Sequence, residues 1–388
     1  MQAAMPSHWL KSSLITASLI LLAGCSPSAS ESSTGSSAWK ENLNSPASEE
    51  ELAHDDGPYA FYTEDNSILE LYWVCRDTIV HRTQPLAETI PVECGFRKPI
   101  QAAEPPSPLP EVRFEARKIA ALSDIHGQFE VLLELLRNND IINETWDWNF
   151  ADGHLVIAGD VFDRGPQQTE ALWLLYQLDQ QAVAHGGRVH MLLGNHETMV
   201  LYDDLRYLNS KYEHVASTLN RRFPELYGKD TVLGAWLHTR PVIVTVNDTV
   251  FMHGGLHPDY QELGMSVEDV NEHYRESLGI PRATLMETPV LQFLYGRLGP
   301  LWYRGYFRDQ DQLTSEQLDG LLESLSANQI VVGHTSFSGV YQHWNGRVIN
   351  VDSNIKRGLS GEILFWENGE FTVGSLAGER HAVPEWEE

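Results

Sequence analysis

The chain has 388 residues, and its 27 basic and 54 acidic side chains leave a formal charge of −27. That balance repels polyphosphate backbones and argues against nucleic acid as a partner, so an anionic substrate needs local positive charge from bound cations or a few placed arginines. A hydrophobic share of 42% with a mean hydropathy of −0.29 excludes a multi-span membrane protein and a wholly disordered chain, while the length allows two or three domains.

After Lys11, the apolar run Leu14 to Ala23 is too short to cross a bilayer as a helix and reads as the core of an export signal. It closes with Leu22-Ala23-Gly24-Cys25, which resembles the bacterial lipobox. On that reading residues 1–24 are a lipoprotein signal peptide and Cys25 is the lipidation site. Ser26 in place of Asp implies an outer-membrane lipoprotein that faces the periplasm, its partner being the membrane that holds its N-terminal lipid. An ordinary cleaved signal with a chance cysteine is the alternative, and both readings export the protein. Residues 25–57 are poor in large apolar side chains and are expected to be a flexible tether, with Glu49, Glu50, Glu51, Asp55 and Asp56 solvated. Cys75 and Cys94 then remain as an even pair in an oxidising compartment, which favours a disulfide over two buried thiols.

Residues 58–97 are expected to form a small β-rich domain from Ser67–Arg76, Asp77–Arg82 and a third stretch before Cys94. Pro99, Pro105, Pro106, Pro108 and Pro110 lack the N–H groups a sheet needs, so residues 98–112 read as a linker and the domain boundary. Within residues 113–380, Ile119–Ser123, Leu155–Ala158 and Val189–Leu193 are short apolar runs separated by the helical patterns Gln128–Asn138 and Gln168–Gln181, a βαβ rhythm. Thr198 to Trp236 reads as mostly helical, and Thr239–Asn247 with Thr249–His253 as a hairpin. Ile330–Val332, Val348–Val351, Ile363–Trp366 and Phe371–Val373 read as late strands of a second sheet. The expected fold class is α/β, a layered β-sandwich flanked by helices with the small N-terminal β-rich domain.

Five motifs follow expected strands: Asp124-Ile125-His126-Gly127, Gly159-Asp160-Val161-Phe162-Asp163-Arg164-Gly165, Gly194-Asn195-His196-Glu197, His253-Gly254-Gly255 and Gly333-His334-Thr335. Strand ends are where open α/β sheets carry their sites. Asp, Asn and His together suit Mn, Fe or Zn, and the donors exceed what one four-coordinate ion needs, so the expected cofactor is a pair of divalent or trivalent ions. Asp124 and His126 alternate along an extended strand end and aim at one ion, Asp160 bridges, and Asn195, His253 and His334 complete the second.

The order D-x-H-G, G-D-x-x-D-R-G, G-N-H-E, H-G-G and a late G-H resembles the calcineurin-like metallophosphoesterases, within them the phosphoprotein phosphatase superfamily. It looks most like the Shewanella-like bacterial phosphatases, which include protein-tyrosine phosphatases. The resemblance spans roughly Ile119 to Ser353. It implies the same metal ligands, with His196 as general acid, Asp163 as the carboxylate that orients it, and Arg164 and Arg304 as phosphate clamps beside Asn195. Arg304 comes from Leu301-Trp302-Tyr303-Arg304-Gly305. The implied reaction is in-line hydrolysis of a phosphomonoester in a phosphorylated protein or a small molecule. Two other readings stay open: hydrolysis of dinucleoside polyphosphates or other phosphoesters, and a non-catalytic envelope protein whose metals are structural. Glu197 reads as support for the ligands and Asp352 has no assigned role.

Overall fold

The computed structural model describes residues 48–307 and 312–387; Cys25, the expected signal segment and most of the expected tether lie outside them. Strands β1 (Asp56–Tyr62), β2 (Ile68–Cys75) and β3 (Thr78–Pro85) form an antiparallel three-stranded sheet. The remaining strands are β4 (Arg113–Phe114), β5 (Lys118–Leu122), β6 (His154–Ile157), β7 (Arg188–Met191), β8 (Ile243–Val246), β9 (Thr249–Met252), β10 (Gln329–Val332), β11 (Tyr341–His343), β12 (Val348–Asn350), β13 (Glu362–Glu367), β14 (Glu370–Ser375) and β15 (Arg380–Ala382). They build two six-stranded sheets, ordered β11-β12-β10-β9-β8-β4 and β15-β14-β13-β5-β6-β7.

The central strands are apolar on both faces because both faces are covered, and their alternation sorts the side chains into two cores. Ile119, Ala121 and Val156 point inward with Val244, Val246, Phe251, Val331 and Ile349, filling the space between the sheets. Their neighbours Ala120, Leu122, Leu155, Ile157, Val250, Met252, Ile330 and Val332 join the outer core under the helices. The helices Phe129–Asn138 and Gln168–Ala184 supply its buried Leu132, Leu136, Leu172 and Leu175. Strands β5, β6 and β7 run parallel, as do β9, β10 and β12. The carboxyl ends of these six strands feed the loops of the site.

Four expectations need correction. Strands β13 and β14 do not join the second sheet: β13 lies antiparallel to β5 and extends the first. The stretch before Cys94 makes only an isolated bridge, Ile90 to Ile100, and Pro91 removes a ladder donor there; the third strand of the small sheet is β1 instead. The tether ends earlier than expected, since Ser48 caps a helix at Glu49–His54 and Asp56 is buried in β1.

Nor do residues 98–112 separate two cores. Leu69, Leu71 and Trp73 belong to the same apolar cluster as Phe129, Trp146 and Trp173, and Trp173 Nε1 donates to Pro58 O at 2.9 Å. Prolines cannot donate but their carbonyls accept, and Gln177 of the long helix donates to Pro99 O at 2.9 Å. Ala103 N in turn donates to the Tyr176 hydroxyl at 2.9 Å, so the proline-rich run is strapped along that helix. Cys75 and Cys94 form a disulfide that fastens the end of β2 to the segment after β3.

Candidate active site

The loops after β5, β6, β7, β9, β10 and β12 meet at one edge of the sandwich, each sheet contributing three. The close approach is steric in origin. A Cβ on Gly159, at φ +87°, would stand 2.6 Å from the Gly194 Cα, so only glycine lets the loops bearing Asp160 and Asn195 touch. Asp124, His126, Asp160, Asp163, Arg164 and His334 all take positive φ without being glycine. Such backbone costs of order 1 kcal/mol per residue or more and clusters where a site over-determines it.

Asp160 is the hub. Its Oδ2 lies 3.5 Å from His126 Nε2, 3.8 Å from His196 Nε2 and 3.2 Å from His253 Nε2. Two groups able to hold a metal ion share it: His126, Asp160 and His196, and Asp160, His253 and His334, all buried. Asp124 Oδ1 stands 3.7 Å from His126 Nε2, beside the first group. Asn195 Oδ1 lies 3.0 Å from His253 Nε2, beside the second.

The imidazoles are held as metal ligands require. His126 Nδ1–H donates to Phe162 O and His253 Nδ1–H to Ala158 O, both at 2.7 Å, which leaves the Nε2 atoms facing inward. His253 Nε2 then meets His334 Nδ1 at 3.1 Å as well as Asn195 Oδ1 and Asp160 Oδ2. Several lone pairs turned on one another repel unless a cation lies among them, so this donor set fits a pair of metal ions. Burial, with the Arg304 guanidinium nearby, pushes the His334 pKa well down. Burial alone would raise the Asp160 pKa, but the His253 and His196 imidazoles hold it below the ordinary carboxylate range and keep it ionised.

His196 has a different role in the geometry. Its Nδ1 is bonded to Asp163 Oδ2 at 2.6 Å, and its Nε2 faces the site. Burial works against its charge, yet Asp160 and Asp163 together raise its pKa above the ordinary histidine value. Glu197 binds the loops from beneath, accepting from Asp160 N, Val161 N, Phe162 N and Gly194 N at 2.6 to 3.2 Å.

Arg164 is exposed at the mouth and fixed by its backbone, its N donating to Tyr207 O at 3.0 Å and its O accepting from Asn209 Nδ2 at 2.8 Å. Arg304 sits on a loop that packs on the His253 motif, where Gly254 N donates to Pro300 O at 2.6 Å, and its charge is felt at His334.

The structure adds residues that the sequence did not single out. Lys356 Nζ lies 3.6 Å from Asp124 Oδ1 and 3.0 Å from Asp352 Oδ2, which gives Asp352 a partner. Burial and the nearby Asp124 raise the Asp352 pKa to about 7. Ser123 Oγ donates to Asp124 Oδ2 at 2.7 Å. Tyr207, 42% exposed, brings its ring to 5.1 Å from His196 and 5.3 Å from the Arg164 guanidinium. The i, i+4 spacing of Asp352 and Lys356 was the one signal available; nothing local marks Ser123 or Tyr207.

Comparison with known proteins agrees with this geometry. The Calcineurin-like phosphoesterase family matches residues 117–352. The crystal structure of a cold-active protein-tyrosine phosphatase from a psychrophilic Shewanella is 38% identical, with a TM-score of 0.81 over 85% of this chain and 99% of that one. Shewanella-like protein phosphatase 1 of Plasmodium berghei is 31% identical over 56% of this chain and 61% of its own length. Shewanella-like protein phosphatase 2 of Arabidopsis thaliana is 24% identical over 64% of this chain and 74% of its own. A buried pair of candidate ligand groups sharing one carboxylate, on a fold matched this closely, makes the chain a metal-dependent phosphatase of the calcineurin-like phosphoesterase family.

Proposed function

We propose that this chain dephosphorylates proteins, with phosphotyrosine the favoured residue, at a pair of Mn, Fe or Zn ions. The observation that carries the reading is the Asp160 carboxylate common to both ligand groups. Asp124, His126 and Asp160 would hold one ion, and Asp160, Asn195, His253 and His334 the other. Such a pair, when bound, supplies Lewis acidity toward phosphoryl oxygens and toward the attacking water. Arg164 and Arg304, with Asn195 beside them, bind the phosphoryl oxygens and offset their growing charge. His196, held by Asp163, gives its Nε2 proton to the leaving oxygen. The exposed Tyr207 ring beside His196 and Arg164 supports an aryl leaving group, which is what phosphotyrosine offers.

Turnover of a phosphotyrosine peptide, of p-nitrophenyl phosphate and of diadenosine tetraphosphate tests this, before and after chelation and metal return. The reading expects loss and recovery on the first two, with the peptide the best substrate. Faster turnover of the tetraphosphate would point to anhydride hydrolysis instead. We further propose export to the periplasm and anchoring to the outer membrane through a lipid on Cys25. Cys25→Ser should move the protein from the membrane fraction to the soluble one, and continued membrane association would contradict the anchor.

A further inference from the structure

Next to the site opens a cavity of about 710 Å³ whose walls differ in chemistry. Phe307, Phe337 and Trp386 cluster in its lining, with the Phe307 and Phe337 rings 5.2 Å apart and those of Phe337 and Trp386 4.8 Å apart. Arg164, Lys356 and Arg357 also line it. Lys356 is committed to Asp352 and Asp124, but among the described residues no carboxylate pairs with Arg164 or Arg357. In a chain with twice as many acidic as basic side chains, two arginines facing one cavity with no carboxylate among its described lining residues are a charge left for a ligand.

The turn that carries Arg357 is built and not loose. The short helical turn Ile355–Arg357 is flanked by Asn354 and Gly358, both at φ +70°. Asp352 accepts from Asn354 N at 3.1 Å and from Ser336 Oγ at 2.7 Å. Gln128 Nε2 donates to Lys356 O at 3.3 Å, and Arg357 Nε donates to Asn354 Oδ1 at 3.3 Å. Arg357 is exposed, yet it is held on the rim on which Lys356 reaches Asp124. Arg164, expected to meet the phosphate, lines the same cavity, so whatever enters it is continuous with the scissile group.

We propose that this cavity seats the residues flanking the phosphotyrosine, and that Arg357 selects a substrate with an acidic side chain there, its apolar neighbour lying on Phe337 and Trp386. The inference rests on the phosphotyrosine reading above and adds a specificity determinant to it. The anion is a carboxylate on this account, and a second phosphate is the rival source of the same charge.

The test uses the metal-loaded full chain and phosphotyrosine peptides that differ only in a flanking Glu, Ala, Lys or phosphoserine, with p-nitrophenyl phosphate as reference. Wild type should turn over the Glu peptide with kcat/KM about tenfold above the Ala peptide, through KM, and the Lys peptide should be poorest. Arg357→Ala should level the peptides and Arg357→Glu should invert the order, both leaving p-nitrophenyl phosphate turnover unchanged. Equal wild-type rates on Glu, Ala and Lys peptides, or an order that survives Arg357→Glu, would overturn the inference while leaving the phosphatase reading intact. A phosphoserine peptide far better than the Glu peptide would overturn the carboxylate assignment. No hydrolysis of p-nitrophenyl phosphate by the metal-loaded wild type would remove the parent reading and this one together.

Discussion

His196 commits Nδ1 to Asp163 and turns Nε2 toward the metal-binding hub, so its removal should cost a proton and not a ligand. His196→Ala is expected to lose about 10²–10⁴-fold in turnover of an alkyl phosphate, much less with p-nitrophenyl phosphate, and to keep both metals by elemental analysis. Equal losses on the two substrates would contradict the assignment. At this scale the motif residues were legible because Asp, Asn and His in that order leave few other chemistries. Lys356, Ser123 and Tyr207 were not, because each matters only through a neighbour that the fold delivers. Lys356 meets Asp124 across the two sheets, and the Tyr207 ring reaches His196 from a separate loop.

The helix Gln168–Ala184, strand β1 and the helix Ser210–Thr218 are joined by one buried group of charges. Lys211 Nζ stands 3.3 Å from Asp56 and 3.4 Å from Glu170, and it also donates to Pro166 O at 2.8 Å, next to the Arg164 loop. Two carboxylates face one ammonium, and burial, with Asp56 adding to it, raises the Glu170 pKa from 4.5 to about 7 against the pull of Lys211. Between those two values the unfolded chain has lost a proton that the folded chain keeps. Glu170 therefore makes stability fall as pH rises through this window and contributes no slope above it. Glu170→Gln should remove that slope, so the stability of wild type relative to the variant should decline from pH 4.5 to 7 in urea titrations. Curves that stay parallel would contradict the assignment. The acidic stretch that leads into β1 reads as a solvated tether because composition does not reveal a buried partner, here Lys211 for Asp56 at the first position of the strand. Strands β13 and β14 show the expected pattern but join the other sheet, since periodicity fixes which face is apolar and not which neighbour a strand finds.

On the scale of the whole molecule, a strongly acidic chain gathers Arg164, Arg304, Lys356 and Arg357 around one edge of a two-sheet sandwich. The βαβ rhythm and the strand-end motifs make that edge legible in the sequence. The domain boundary is not, because prolines that cannot join a sheet can still offer carbonyls to a helix, as Pro99 does to Gln177. The role of the Asp160 carboxylate is to tie two metal ions into a phosphatase site. Its most direct test is the metal content of purified wild type and Asp160→Asn by elemental analysis, each folded by circular dichroism. About two equivalents of transition metal per wild-type chain, with both sites weakened together in the variant, is the result predicted. Two equivalents retained by Asp160→Asn, or a single equivalent in a fully active wild type, would contradict it.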